Sequence, residues 1–184
     1  MNPAMSTYRT PLSSIELMVL LDLLGAENPR VPSYYKTTHW AYKAMAKAES
    51  RLRSLGKFKS VPFGQPDKTP QTELFLHDAE KSSGWWMGGM IDDDHAPFMS
   101  RGVEVLHLIP GPFPEVWHKI TDDGEHLDLP TVHDWAILVT AFTAEWMDLD
   151  ASLTTDSNRL LSRAEIDKPL KDKQNSGHWS RNEL

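Results

Sequence analysis

Apolar positions fall into four stretches separated by polar, proline-rich sequence. Residues 15–25 are apolar except at Glu16, Asp22 and the closing Gly25. A run of this length suits a buried strand or a short buried helix. Asp22 near its C-terminal end favours a central strand, because open α/β sheets place their sites beyond strand C-termini. In residues 37–55, Ala41, Ala44, Met45, Ala48, Leu52 and Leu55 recur at spacings of three and four. That predicts a helix capped by Thr37 or Thr38 and stopped by Gly56. Residues 103–109 are β-branched and aliphatic between Gly102 and Pro110, and read as the clearest strand. A last helix is expected over 130–149, with Trp135, Leu138, Val139, Phe142, Trp146 and Leu149 on one stripe. Asp128 would cap it, and Pro130 suits its first turn.

Between these elements lie a loop with Pro29 and Pro32, a polar surface loop over 57–73, and a loop-rich stretch over 85–95. From Asp150 onward the sequence is polar and aperiodic, which predicts a disordered or weakly helical tail over 151–184. The expected organisation is therefore a leader over 1–11, one domain over 12–150, and the tail. Strand, helix, loop, strand, helix in that order is part of an α/β sandwich, although two strands are few for its sheet.

Charge and composition narrow the function. Nineteen basic residues against 26 acidic ones give a net charge of −7. An acidic chain with no basic block is a poor polyanion binder, so no nucleic-acid partner is expected. The lack of cysteine excludes disulfides, thiolate metal sites and cysteine nucleophiles. No stretch approaches the roughly 18 apolar residues of a membrane span. Residues 1–11 hold one basic residue, two prolines and no apolar centre, so they do not read as a signal peptide.

Three places carry candidate chemistry. Asp92, Asp93, Asp94 and His95 follow a pair of glycines; consecutive carboxylates either form a solvated acidic turn or raise a pKa and call for a cation. His95, beside Pro97, could equally cap the loop. The stiff segment from Pro110 to His118 leaves the strand over 103–109 and would present Phe113, Trp117 and His118 above the sheet. His118 is there either a structural histidine or, walled by aromatics, a neutral zinc ligand. Asp22, an acid in an apolar run, is either paired with a lysine or part of an active site. His107, between Leu106 and Leu108, reads as a satisfied core histidine.

Taken together, residues 20–26 (LLDLLGA), 93–98 (DDHAPF), 101–110 (RGVEVLHLIP) and 113–118 (FPEVWH), followed by Asp122 and Asp123, resemble the glutaminyl cyclases, or glutaminyl-peptide cyclotransferases. These are a branch of the zinc aminopeptidase-like M28 hydrolases, and the resemblance extends over about residues 12–149. It implies an α/β sandwich with a mixed twisted sheet, and conversion of N-terminal Gln of peptides into pyroglutamate with release of ammonia. By the same resemblance His118 would be a ligand of one zinc ion. Asp22 and Asp93 would be hydrogen-bonded carboxylates that hold the substrate and shuttle protons, and Phe113 and Trp117 would wall the substrate pocket. Exported relatives imply the secretory pathway.

The chain departs from the family pattern in two ways. Asp92 stands where the family usually has Gln. The family's Asp ligand, Glu ligand and general-base Glu all precede the strand carrying Asp22, whereas the 21 residues before Asp22 contain one acid, Glu16. The expectation is thus the C-terminal half of a cyclase, its N-terminal strands missing, needing its other half for zinc and activity. The alternatives are an M28-type zinc aminopeptidase or peptide hydrolase, and a non-catalytic interaction fragment.

Overall fold

The computed structural model describes residues 11–60, 74–84, 86 and 91–149. Strand β1 (Met18–Leu21) leads through a loop into helix α1 (His39–Ser54). A short helix, α2 (Ala96–Met99), precedes strand β2 (Val105–Leu108), and α3 (Leu129–Trp146) closes the described chain. The expected order holds, with α2 added. The expected tail and leader, and the loop over 61–73, lie outside the described residues apart from Pro11.

β1 and β2 pair in parallel, with Met18 opposite Val105, Leu20 opposite His107 and Leu21 opposite Leu108. Both strands are shorter than the apolar runs that carry them, since only these positions make ladder bonds. Among the described residues β1 pairs with β2 alone. β2 is buried at every position, as suits a parallel strand covered on both faces. β1 is only half-buried, and Leu21 is 47% exposed.

Helix α1 begins two residues later than expected, and Thr38 does not cap it with its side chain. The Thr38 hydroxyl instead donates to the Val105 carbonyl at 2.7 Å, tying the helix start to the outer edge of β2. Gly56, at φ 62°, ends the helix as the sequence predicts, a left-handed turn that costs glycine little. At the α3 start the Asp128 carboxylate accepts the Thr131 N–H at 3.0 Å, the expected cap.

The core joins Ala41, Tyr42 and Met45 of α1, Leu106 and Leu108 of β2, and Trp135, Leu138 and Phe142 of α3, with Phe75 and Leu76 between them. Buried acids hold the irregular segments. Glu49 accepts the N–H groups of Phe75 (2.7 Å) and Leu76 (3.0 Å) and Arg53 Nε at 2.8 Å. Asp134 accepts the N–H groups of Lys59 and Ser60, each at 2.8 Å. Two compact units divide the chain, residues 1–143 and 144–184. Of the second, residues 144–149 are described: the end of α3 and a closing turn in which the Leu149 N–H donates to the Ala144 carbonyl.

Candidate functional site

Parallel pairing puts the C-terminal ends of β1 and β2 side by side. The Asp22 N–H donates to the Leu108 carbonyl at 3.0 Å, which fixes Asp22 as the first residue beyond β1. Its side chain meets not a lysine but a second acid: the Asp22 and Asp93 carboxyl groups share a hydrogen bond. Burial, and then the negative charge of Asp93, push the Asp22 pKa above the ordinary carboxylate range.

Asp93 is set by its own loop. Its Oδ1 accepts the Asp94 N–H at 2.7 Å, and its carbonyl accepts the Ala96 N–H at 2.9 Å, where α2 begins. Asp92 and Asp94 are exposed, so the acidic run divides into one site carboxylate and two solvated ones. His95 is 2% exposed, and its Nε2 lies 2.8 Å from the Tyr35 hydroxyl. Burial, and then Asp93, raise the Tyr35 pKa, so that hydroxyl keeps its proton.

His107 is buried in mid-strand as expected. Its Nε2 lies 3.1 Å from Asp93 Oδ2, a polar contact between imidazole and carboxylate, while its Nδ1 has no hydrogen-bond partner among the described residues. Burial, and then the neighbouring His95, lower its pKa, so it is neutral at pH 7. The His95 and His107 rings lie 4.7 Å apart. Asp22, Asp93, His95, His107 and Tyr35 thus form one polar cluster at the strand ends. The sequence carries a signal for His107 in this cluster: a polar residue in a strand otherwise buried on both faces needs a partner.

The loop after β2 carries the second group. Phe113 and Trp117 pack edge to face with centroids 4.8 Å apart, and the Trp117 ring stacks on His118 at 3.9 Å. Trp117 borders a shallow cleft of about 70 Å³ with Leu23, Asp122 and Asp123, next to the residue following Asp22. Asp22 itself borders an apolar groove of about 410 Å³ formed with Leu21, Leu24, Val132 and Val139. His118 is exposed, at φ 58°. Among the described residues the group of metal-type donors is Asp93, His95 and His107, and His118 is not in it. Two further donors would be needed for a catalytic zinc site at His118, and the described residues do not bring them there.

Residues 3–143 match Peptidase family M28. The chain is 34% identical over 146 residues to a glutaminyl-peptide cyclotransferase of Gloydius blomhoffii, covering 79% of this chain and 35% of that protein. It is 38% identical over 141 residues to a glutaminyl-peptide cyclotransferase-like protein of Bos taurus, covering 76% and 33%. Among solved structures, a glutaminyl cyclase of Macrostomum lignano superposes with TM-score 0.57 at 28% identity, over 76% of this chain and 41% of that one. The chain spans about a third of the length of the curated relatives it matches. With 141 consecutive residues inside the family's pattern, strands and acidic loop included, this chain belongs to peptidase family M28.

Proposed function

We propose that the chain carries part of the reaction centre of a glutaminyl cyclase, which closes an N-terminal Gln of a peptide into pyroglutamate and releases ammonia. The observation that carries this reading is the pair Asp22 and Asp93 sharing a hydrogen bond beside a neutral His107 at the ends of two parallel strands. Similarity to glutaminyl-peptide cyclotransferases supports it.

Cyclisation needs one proton taken from the α-amine as its nitrogen attacks the γ-carbonyl carbon, and one proton given to the departing amide nitrogen. A carboxylate pair holding a single proton does both: the ionised member accepts and the protonated member donates. The elevated Asp22 pKa suits the donating role. Ring closure is intramolecular, so much of the remaining task is to hold the side chain folded over the amine. Phe113 and Trp117, already packed against each other, would provide that apolar wall. The resemblance gives His118 to a zinc ion; since no further donor accompanies it among the described residues, these steps rest on the carboxylates and the wall alone. The secretory pathway remains the proposed place of action.

The test is ammonia release from a short Gln-initiated peptide with purified chain. Where the peptide turns over above the spontaneous rate, Asp22→Asn and Asp93→Asn should each lower turnover about 100-fold or more, as for a general acid–base pair. Release of a free amino acid instead of a ring would make the chain a peptide hydrolase of the same family. Turnover unaffected by both substitutions would remove the carboxylate pair from the chemistry.

A further inference from the structure

We propose that Tyr35 is a positioning residue of the site: its hydroxyl donates to His95 Nε2 and so keeps the proton of the neutral imidazole on Nδ1. The two atoms lie 2.8 Å apart. Burial and the charge of Asp93 make the phenol hold its proton. That proton needs an acceptor, and the bare nitrogen of a neutral imidazole is the one within reach among the described residues. Which ring nitrogen of a histidine is protonated is set by the hydrogen bond that the other one makes. His95 Nδ1 is buried with no hydrogen-bond partner among the described residues, so on that side nothing competes with Tyr35.

Tyr35 is itself held in place. Before it, the Tyr34 hydroxyl donates to the Ile109 carbonyl at 3.1 Å; after it, the Thr38 hydroxyl donates to the Val105 carbonyl at 2.7 Å. Residues 34–38 are thus tied at both ends to β2 or the residue that follows it, and β2 carries His107. The Tyr34 and His107 ring centres are 5.8 Å apart. A hydroxyl pinned on both sides can fix the ring that it touches.

The His95 tautomer bears on the carboxylate pair. The His95 ring is 4.7 Å from that of His107 and brings a nitrogen within 4.8 Å of an Asp93 carboxylate oxygen. Asp93 also has the Asp94 N–H on Oδ1 at 2.7 Å, and His107 Nε2 3.1 Å from Oδ2. Polar groups gathered in one fixed arrangement act on a neighbouring charge without reorganising, whereas a ring that exchanges tautomers turns two different dipoles on it. Tyr35 selects one of the two. For its effect on turnover this role rests on the cyclase reading; the tautomer itself does not.

The first measurement is long-range proton–nitrogen NMR of the histidine rings in the purified full chain at about pH 8, where imidazole is neutral. His95 should show a protonated Nδ1 and an unprotonated Nε2. Tyr35→Phe, its folding checked by circular dichroism, should show the two tautomers mixed. A His95 proton on Nε2 in the parent overturns the role, and this reading needs no variant to fold. A tautomer unchanged in folded Tyr35→Phe overturns it as well, since a merely structural contact would lower the melting temperature and leave the ring as it was. Where the peptide turns over, Tyr35→Phe should lower kcat about 10–100-fold, as for a displaced catalytic group, with KM unchanged. A kcat equal to the parent's would remove Tyr35 from the site. Absence of turnover in the parent counts against the cyclase reading, and the ring spectra still decide what Tyr35 does.

Discussion

Asp22 changes environment more than any other acid in the cluster: one residue past a strand, beside a second carboxylate, with its proton held more tightly than in an unfolded chain. Stability linked to such a group is fully present below its unfolded pKa, near 3.8, and is lost as pH rises through the higher folded value. Asp22→Asn cannot ionise and escapes that loss. In chelator-treated protein, the melting temperature of Asp22→Asn relative to the parent should therefore rise across the acidic range above pH 3.8 and then level off. A constant difference at every pH would mean that the Asp22 proton is not held by folding. At the same scale the fold brings Asp22 to Asp93, and His95 to His107 beside them. His95 and His107 are 12 residues apart, and Tyr35 lies 60 residues before His95; no spacing rule joins them. Only a parallel pairing with the acidic loop folded over it does so.

The elements depend on polar clasps as well as apolar stripes. The α1 stripe at Ala41, Met45 and Ala48 is buried as its spacing predicts, yet Leu55 is 61% exposed and Glu49 is wholly buried. The reason is a loop passing over the helix: Glu49 receives two backbone N–H groups from residues 75 and 76, and the Arg53 guanidinium beneath it lies 4.6 Å from the rings of both Phe58 and Phe75. Glu49→Gln should destabilise by about 3–5 kcal/mol, because a buried guanidinium loses its carboxylate. That corresponds to roughly 2–4 °C of melting temperature per kcal/mol for a protein of this size. A loss below about 1 kcal/mol would show the pair to be solvated in solution. Asp134 of α3 does the same for residues 59 and 60. Neither clasp was legible beforehand, since an acid in a helical pattern ordinarily reads as a solvent-facing position.

For the molecule as a whole, β1 pairs on one side only among the described residues, and Leu21 and the groove beside Asp22 present apolar surface. An exposed strand edge with apolar side chains is a template for another strand. Purified chain should accordingly show concentration-dependent association by light scattering, reduced in Leu21→Lys, a charge placed at that edge. A monomer at every concentration would show the edge to be covered in solution. What the sequence determined by itself was everything local or compositional: two apolar strands, two amphipathic helices with a glycine stop and an aspartate cap, the α/β class, and the four segments that resemble glutaminyl cyclases. These follow from periodicity and from side chains acting on their own backbone. The tertiary structure alone decided which polar groups meet: Asp22 with Asp93, Tyr35 with His95, and His95 with His107. Such meetings depend on strand register and loop path, which a one-dimensional pattern of hydrophobicity does not encode.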